Sequence, residues 1–209
     1  GANVQMNSDD YFHAVSIQQV QNYVNTQSCD INTPIANTPP VIAALPAKSI
    51  PKGTAFVLSA NATDAENPNT LTYTWEQYDS STSAVTNVTG NNTTGPKFRS
   101  IKGTNNPTRF FPKESMVLAG SLSSATEWEA VSNVARAMKF RVTVRDNHSD
   151  VKQQQTQFAV QDITVTNDGP FKVTSTKLYN NGNVPLTWDV ANTNNTPYNV
   201  TNVKIDYTT

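Results

Sequence analysis

The sequence predicts a mainly β protein built from antiparallel sheets packed face to face, and three observations carry that prediction. After residue 40, apolar residues recur at a period of two rather than 3.6. Each alternating run has one polar side, the pattern of strands with a single buried face. Helical periodicity is confined to a short stretch before a proline-rich segment.

That helical stretch opens on Ser16-Ile17-Gln18-Gln19, which has the spacing of a capping box: a hydroxyl to accept from the third helical amide and an amide side chain to reach back. Ile17, Val20 and Val24 follow at i, i+3 and i+7 with Tyr23 beside them, so an apolar stripe runs to about Asn25. A helix this short is marginal alone and needs a surface to pack on. Residues 31–40 hold three prolines flanked by Asn and Thr, which forbids both a helix and a central strand and marks a linker.

Beyond the linker, Phe56, Leu58 and Ala60 share one face of a strand, and Leu71, Tyr73 and Trp75 alternate with Thr72, Thr74 and Glu76 on the next. Phe140, Val142 and Val144 alternate with Lys139, Arg141, Thr143 and Arg145. A tryptophan on an early central strand plugs the core of immunoglobulin-like sandwiches, so the fold expected is an immunoglobulin-like antiparallel β-sandwich over residues 41–168. Between Gln157 and Thr166 the apolar phase slips: Phe158 and Val160 agree, whereas Ile163 and Val165 take the opposite parity. A β-bulge near Gln161-Asp162 would bring both pairs inward. Asn167-Asp168-Gly169-Pro170 is strong turn chemistry and a second boundary. Phe171/Val173, Leu186/Trp188/Val190 and Val203/Ile205/Tyr207 then alternate within residues 169–209. Three strands fall short of the about seven of a sandwich, so a partial second β domain is expected there.

The 209 residues include 15 Lys and Arg against 16 Asp and Glu, a net charge of −1, which gives no electrostatic reason to expect nucleic acid or an acidic membrane surface. No window approaches the roughly 18 apolar residues of a membrane span, and the first residues lack the layout of a signal peptide, so the chain is expected to start after any targeting segment. Its single cysteine, Cys29, rules out an internal disulfide framework and is either a buried or harmless thiol or one whose partner lies elsewhere.

Several stretches together resemble the C-terminal part of secreted bacterial reprolysin-like zinc metallopeptidases, which are metzincins. Asn7-Ser-Asp-Asp-Tyr-Phe-His-Ala-Val-Ser-Ile17 and the short helix resemble the last segment of the catalytic domain. Arg109-Phe-Phe-Pro-Lys113, Trp128-Glu-Ala-Val-Ser-Asn-Val-Ala-Arg136 and Phe140-Arg-Val-Thr-Val-Arg-Asp-Asn147 resemble the β domain that follows it. Gly169-Pro-Phe-Lys-Val-Thr-Ser175 and Leu186-Thr-Trp-Asp-Val190 resemble the opening of the next module. The resemblance implies that residues 1–30 are the residual end of a catalytic domain, 31–40 a linker, 41–168 a complete β domain and 169–209 the start of another. The family's zinc is held by histidines of an extended H-E-x-x-H motif, whereas this chain has only His13 and His148, neither with a Glu at that spacing. The resemblance therefore implies a zinc site only in a catalytic domain outside this chain, no cofactor in the chain itself, and a secreted or cell-surface location. It also implies that Cys29 pairs with a cysteine near the family's methionine turn.

Asp64, Glu66 and Asn67 lie between two predicted strands, and Asp146, Asn147 and Asp150 at the far end of another. Loops at one end of a sandwich converge, and calcium takes about six to eight such oxygens, so these six residues are a candidate calcium set. They are equally ordinary turn residues. Asn61-Ala-Thr-Asp-Ala-Glu-Asn-Pro68 also resembles loops of polycystic-kidney-disease-type and cadherin-like domains. His148-Ser149-Asp150 has the residue types of a hydrolytic triad, but triads converge from separate elements and a contiguous run cannot place its members. Trp75 and Trp188 fall on the apolar phase of their strands and belong to a core, while Trp128, in a polar run between Glu127 and Glu129, is the candidate surface contact.

Two functions follow. One is a non-catalytic ancillary region of a metallopeptidase: a spacer, stabiliser or presenter of protein substrate, with its own catalytic domain as partner. The other is an extracellular module that binds cell-surface carbohydrate or protein. No nucleophile, base and orienting group assemble into a catalytic site.

Overall fold

The computed structural model describes residues 7, 9–29, 31, 33–81, 85–175 and 184–205. Helix α1 (Ala14–Val24) is followed by β1 (Val41–Ile42), β2 (Lys48–Pro51), β3 (Phe56–Ser59), β4 (Ala62–Thr63), β5 (Thr72–Gln77) and β6 (Thr108–Phe111). Then come α2 (Glu114–Leu118), β7 (Ser123–Ser124), β8 (Glu129–Ala130), β9 (Arg136–Arg145), β10 (Thr156–Thr166), β11 (Lys172–Val173) and β12 (Trp188–Asp189). The protein is mainly β, as expected. Its main sheet has four strands in the order β2-β10-β9-β5, and β3 pairs with β6 in a second sheet. Ladders β10–β9, β9–β5 and β3–β6 are antiparallel, but β2 runs parallel to β10, so the sheet is mixed rather than purely antiparallel. Parallel partners cannot be joined by a tight hairpin, and here they are the first and last strands of the sheet.

The two sheets share one apolar core. Leu58, Trp75, Phe98, Phe111, Phe140, Val142 and Ile163 are all buried in it. Phe56 stacks on Phe111 at 5.1 Å between ring centroids, and Phe111 meets Phe140 edge-on at 4.8 Å and Phe98 at 5.2 Å, geometries that favour the ring quadrupoles. Trp75 is in this core, as its strand phase requires, and its indole nitrogen donates to the Pro107 carbonyl at 2.9 Å. Arg109 ties the long connection between β5 and β6 to both: its guanidinium donates to the Trp75 carbonyl at 2.6 Å, the Arg99 carbonyl at 2.7 Å and the Glu129 carboxylate at 2.5 Å. The other Glu129 oxygen accepts the Lys113 amide at 2.6 Å, so this buried acid is fully engaged.

Two expectations are corrected. The β9–β10 ladder runs in unbroken register from Thr156↔Arg145 to Val165↔Arg136, with no bulge at Gln161-Asp162. Gln161 instead takes the inward place opposite Phe140 and donates to the Pro46 carbonyl at 2.7 Å, while Phe158 and Val160 lie on the opposite, outer face. That outer face is only partly wet: Thr74, Glu76, Arg141 and Thr143 are buried on it, beside the more exposed Phe158 and Val160. Among the described residues of 169–205, β11 pairs with β12 and no other strand forms, Trp188 is 36% exposed rather than in a core, and Val203 and Ile205 are exposed outside any strand. Tyr207 lies outside the described residues.

Phe111 has no exposure at all, so Phe111→Ala should cost about 3–5 kcal/mol in urea unfolding. Val151→Ala, at an exposed position, should stay within about 0.5 kcal/mol of the parent.

Candidate functional site

The outer face of the main sheet is where helix α1 lies. Glu76, buried on β5, caps the helix from across the chain: one carboxylate oxygen accepts the Ala14 amide at 2.8 Å and the other meets Nδ1 of His13 at 2.8 Å. The cap residue is His13, its side chain makes no cap bond to the helix amides, and the helix starts before Ser16, so the predicted capping box is not used. A buried carboxylate satisfies the first amide and the positive end of the helix dipole instead. Arg141 donates to the Gln18 side chain at 3.2 Å and Arg145 to the Phe12 carbonyl at 3.1 Å. The Arg141 guanidinium also lies 3.5 Å over the Phe158 ring, which explains an aromatic residue on this face. Burial pulls both guanidinium groups below their usual range. Ahead of the helix, Tyr11 shares a 2.5 Å hydrogen bond with Ser100, and Asp10 pairs with Lys102 at 2.6 Å.

The helix seats its Ala14 and Gln18 edge on the sheet; of its predicted apolar stripe Ile17 is half-buried and the rest faces outward. Val20, Tyr23 and Val24 are exposed, together with Phe12 and Val15. Cys29, just past the helix, is also exposed.

The six residues of the calcium set divide into two groups. Asp64, Asn67 and Asp146 come together through Asn37 of the linker. Asp64 Oδ1 accepts the Asn67 amide at 2.5 Å and the Glu66 amide at 3.0 Å; Asn67 Nδ2 donates to Asn37 Oδ1 at 2.8 Å. Asn37 Nδ2 donates in turn to Asp146 Oδ2 and, at 2.9 Å, to the Gln153 carbonyl. Asp146 also accepts the amides of His148 and Gln155. Glu66 stands at the rim, held at 2.9 Å by the Thr38 hydroxyl. Asn147 and Asp150 take no part: Asn147 donates to the Thr70 carbonyl, and Asp150 accepts the Lys152 amide and the Gln153 side chain, which hold its carboxyl below the usual range. Asp150 acts as a turn residue, while Asn147 ties its loop to Thr70 and to Thr72 of β5. Among the described residues there is no cluster of three or more His, Cys, Asp or Glu side chains able to hold a metal.

Trp128, expected at the surface, is half-buried at a positive φ of 53°, with its carbonyl accepting the Arg99 amide at 3.1 Å. His148 bonds only within its own loop, consistent with a chance run. An open groove of about 230 Å³ runs along β5 and β6, lined by Tyr73, Ile101, Asn106, Thr108 and Phe110 among others. Sequence reasoning missed Glu76 and Arg141 as functional positions, since both sit on the polar phase of strands whose outer face was taken to be solvated. It also missed Asn37, which looks like any linker asparagine.

No family model matches the chain, and no curated protein or solved structure is significantly similar to it. Among the described residues no helix is long and apolar enough to cross a membrane.

Glu76→Ala should leave the core intact while loosening the helix: α1 amides should exchange hydrogen roughly tenfold faster or more, with a loss of about 1–3 kcal/mol in unfolding free energy. Lys97 supplies a pH-dependent test. Its side chain is buried and donates to the Thr89 carbonyl at 2.8 Å, and burial, reinforced by Arg136, lowers it from 10.5 to about 8. Between those values the unfolded chain binds more protons than the folded one, so this lysine makes stability rise with pH across the window. The unfolding free energy of the parent minus that of Lys97→Met should therefore climb from pH 8 to pH 10.5 and be flat below.

Proposed function

We propose that this chain is the non-catalytic ancillary region of a secreted zinc metallopeptidase: an immunoglobulin-like β domain that holds the last helix of the catalytic domain and serves as spacer, stabiliser or presenter of substrate. Helix α1 carries the reading. It is fastened to the sheet by Glu76, Arg141 and Arg145, yet it points Val15, Val20, Tyr23 and Val24 away from that sheet. A helix serving only this unit would turn its apolar stripe inward, and an outward stripe beside exposed Phe12 is the kind of patch that marks an interface. The occupant in this reading is the catalytic domain, which supplies the zinc, the reaction and a partner for Cys29. The buried outer face of β5 and β9 then has a purpose, since it anchors a helix shared by two units.

The second reading, a module for surface carbohydrate or protein, draws on the groove along β5 and β6, where Tyr73 and Phe110 lie near Asn106 and Thr108. Its candidate contact residue, Trp128, is half-buried.

The test uses the complete gene product. The paired change Val20→Glu and Tyr23→Glu should leave the melting temperature of the 209-residue chain within about 2 °C, since both positions are exposed, while cutting zinc-dependent peptidase activity of the full product by roughly tenfold or more. A full product without an H-E-x-x-H motif or zinc-dependent cleavage would overturn the proposal, and so would zinc-dependent casein cleavage by the 209 residues alone.

A further inference from the structure

We infer that residues 10–24 are a releasable strap, and that seating the strap holds one wall of the groove along β5 and β6 in place. Among the described residues, the fastenings of this segment lie between Asp10 and Gln18. Asp10 pairs with Lys102, Tyr11 with Ser100, the Phe12 carbonyl with Arg145, His13 and the Ala14 amide with Glu76, and Gln18 with Arg141. From Gln19 to Val24 the helix is exposed on every side, and of its described residues Ala14 alone is buried. Such a segment has little apolar burial to hold it and depends on polar contacts of modest net worth, so it belongs to the part of the fold that opens first.

The seat is also incompletely matched. Arg141 is 1% exposed, yet what meets its Nη1 from the helix is the amide side chain of Gln18, at 3.2 Å, and its Nε and Nη2 have no hydrogen-bond acceptor. The hydroxyl of Thr143, two residues along the same face of β9, is buried without a partner as well. Buried donors left unpaired in the seated state regain water when the seat opens to solvent, which cancels part of what the polar contacts contribute.

A second, independent observation connects the strap to the groove. Ile101, Lys102 and Thr104 line the groove together with Tyr73. Lys102 and its neighbour Ser100 are the residues that Asp10 and Tyr11 hold. A third route runs through Arg145, which donates both to the Phe12 carbonyl and to the Thr74 hydroxyl; Gly103 lies so close to that hydroxyl and to the Tyr73 carbonyl that a Cβ would not fit. The loop is closed against β5 by reciprocal backbone hydrogen bonds between Tyr73 and Thr104, at 2.7 and 3.2 Å. Release of the strap thus removes support from this wall at three points, and by linkage anything that steadies the wall also steadies the strap.

Hydrogen exchange of the 209-residue chain, in urea concentrations below its unfolding transition, is the test. The amides of Ala14, Ile17, Tyr73 and Thr104 should exchange through one opening that is nearly independent of urea, with protection roughly hundredfold or more below that of the core amides from Phe140 to Val144. Tyr11→Phe, which removes the Ser100 hydrogen bond, should speed exchange roughly threefold or more at both Ala14 and Tyr73. Gln18→Glu, which places a carboxylate against Arg141, should slow both by a similar factor. Protection at Ala14 or Tyr73 equal to that of the core would overturn the inference on the unaltered chain alone. A change at Ala14 with none at Tyr73, in either variant, would overturn it as well.

Discussion

Strand β9 is covered on both faces from Phe140 to Val144, and the rest of the structure follows from that constraint. One face feeds Phe140, Val142 and Val144 into the core; the other buries Thr143 and Arg141, which donates to Gln18 of helix α1. A buried carboxylate must find donors, and Glu76, directly opposite Arg141 in the ladder, finds them at the helix terminus, while Arg141 reaches Gln18 of the same helix. The helix is therefore held by polar groups at its N-terminal end rather than by its apolar stripe, which leaves that stripe free for something else.

Strand phase was legible in the sequence wherever one face alone met the core. Leu58, Trp75, Phe140 and Val142 all sit where period-two alternation puts them. It failed where a second layer lay on the sheet, because alternation reports which side chains are apolar and not which are covered. Thr74, Glu76, Arg141 and Thr143 read as solvent-facing and are buried, and the same error created the expectation of a bulge near Gln161. The parallel β2–β10 pairing was invisible for another reason: pairing between distant segments leaves no local pattern.

The candidate cation cluster was half legible. Convergence of the loops holding Asp64 and Asp146 follows from the ends of a layered β fold, and both arrive there. Asp150 shares the residue type but spends its side chain on its own turn, and Asn147 donates across to Thr70 and Thr72, whereas Asn37, outside every strand, joins the two loops. Composition marks which residues can supply oxygen. It does not mark which of them have oxygen to spare.

The parallel pairing of β2 with β10 has a consequence for synthesis on the ribosome. The sheet's first-made strand finds its neighbour only when its last-made strand emerges, so Lys48 to Pro51 must wait, unpaired, while β5 and β9 are completed. Such late closure makes this unit slow to form for its size and exposes a sticky edge in the interval, a burden eased if the chain matures among chaperones or beside an already folded neighbour.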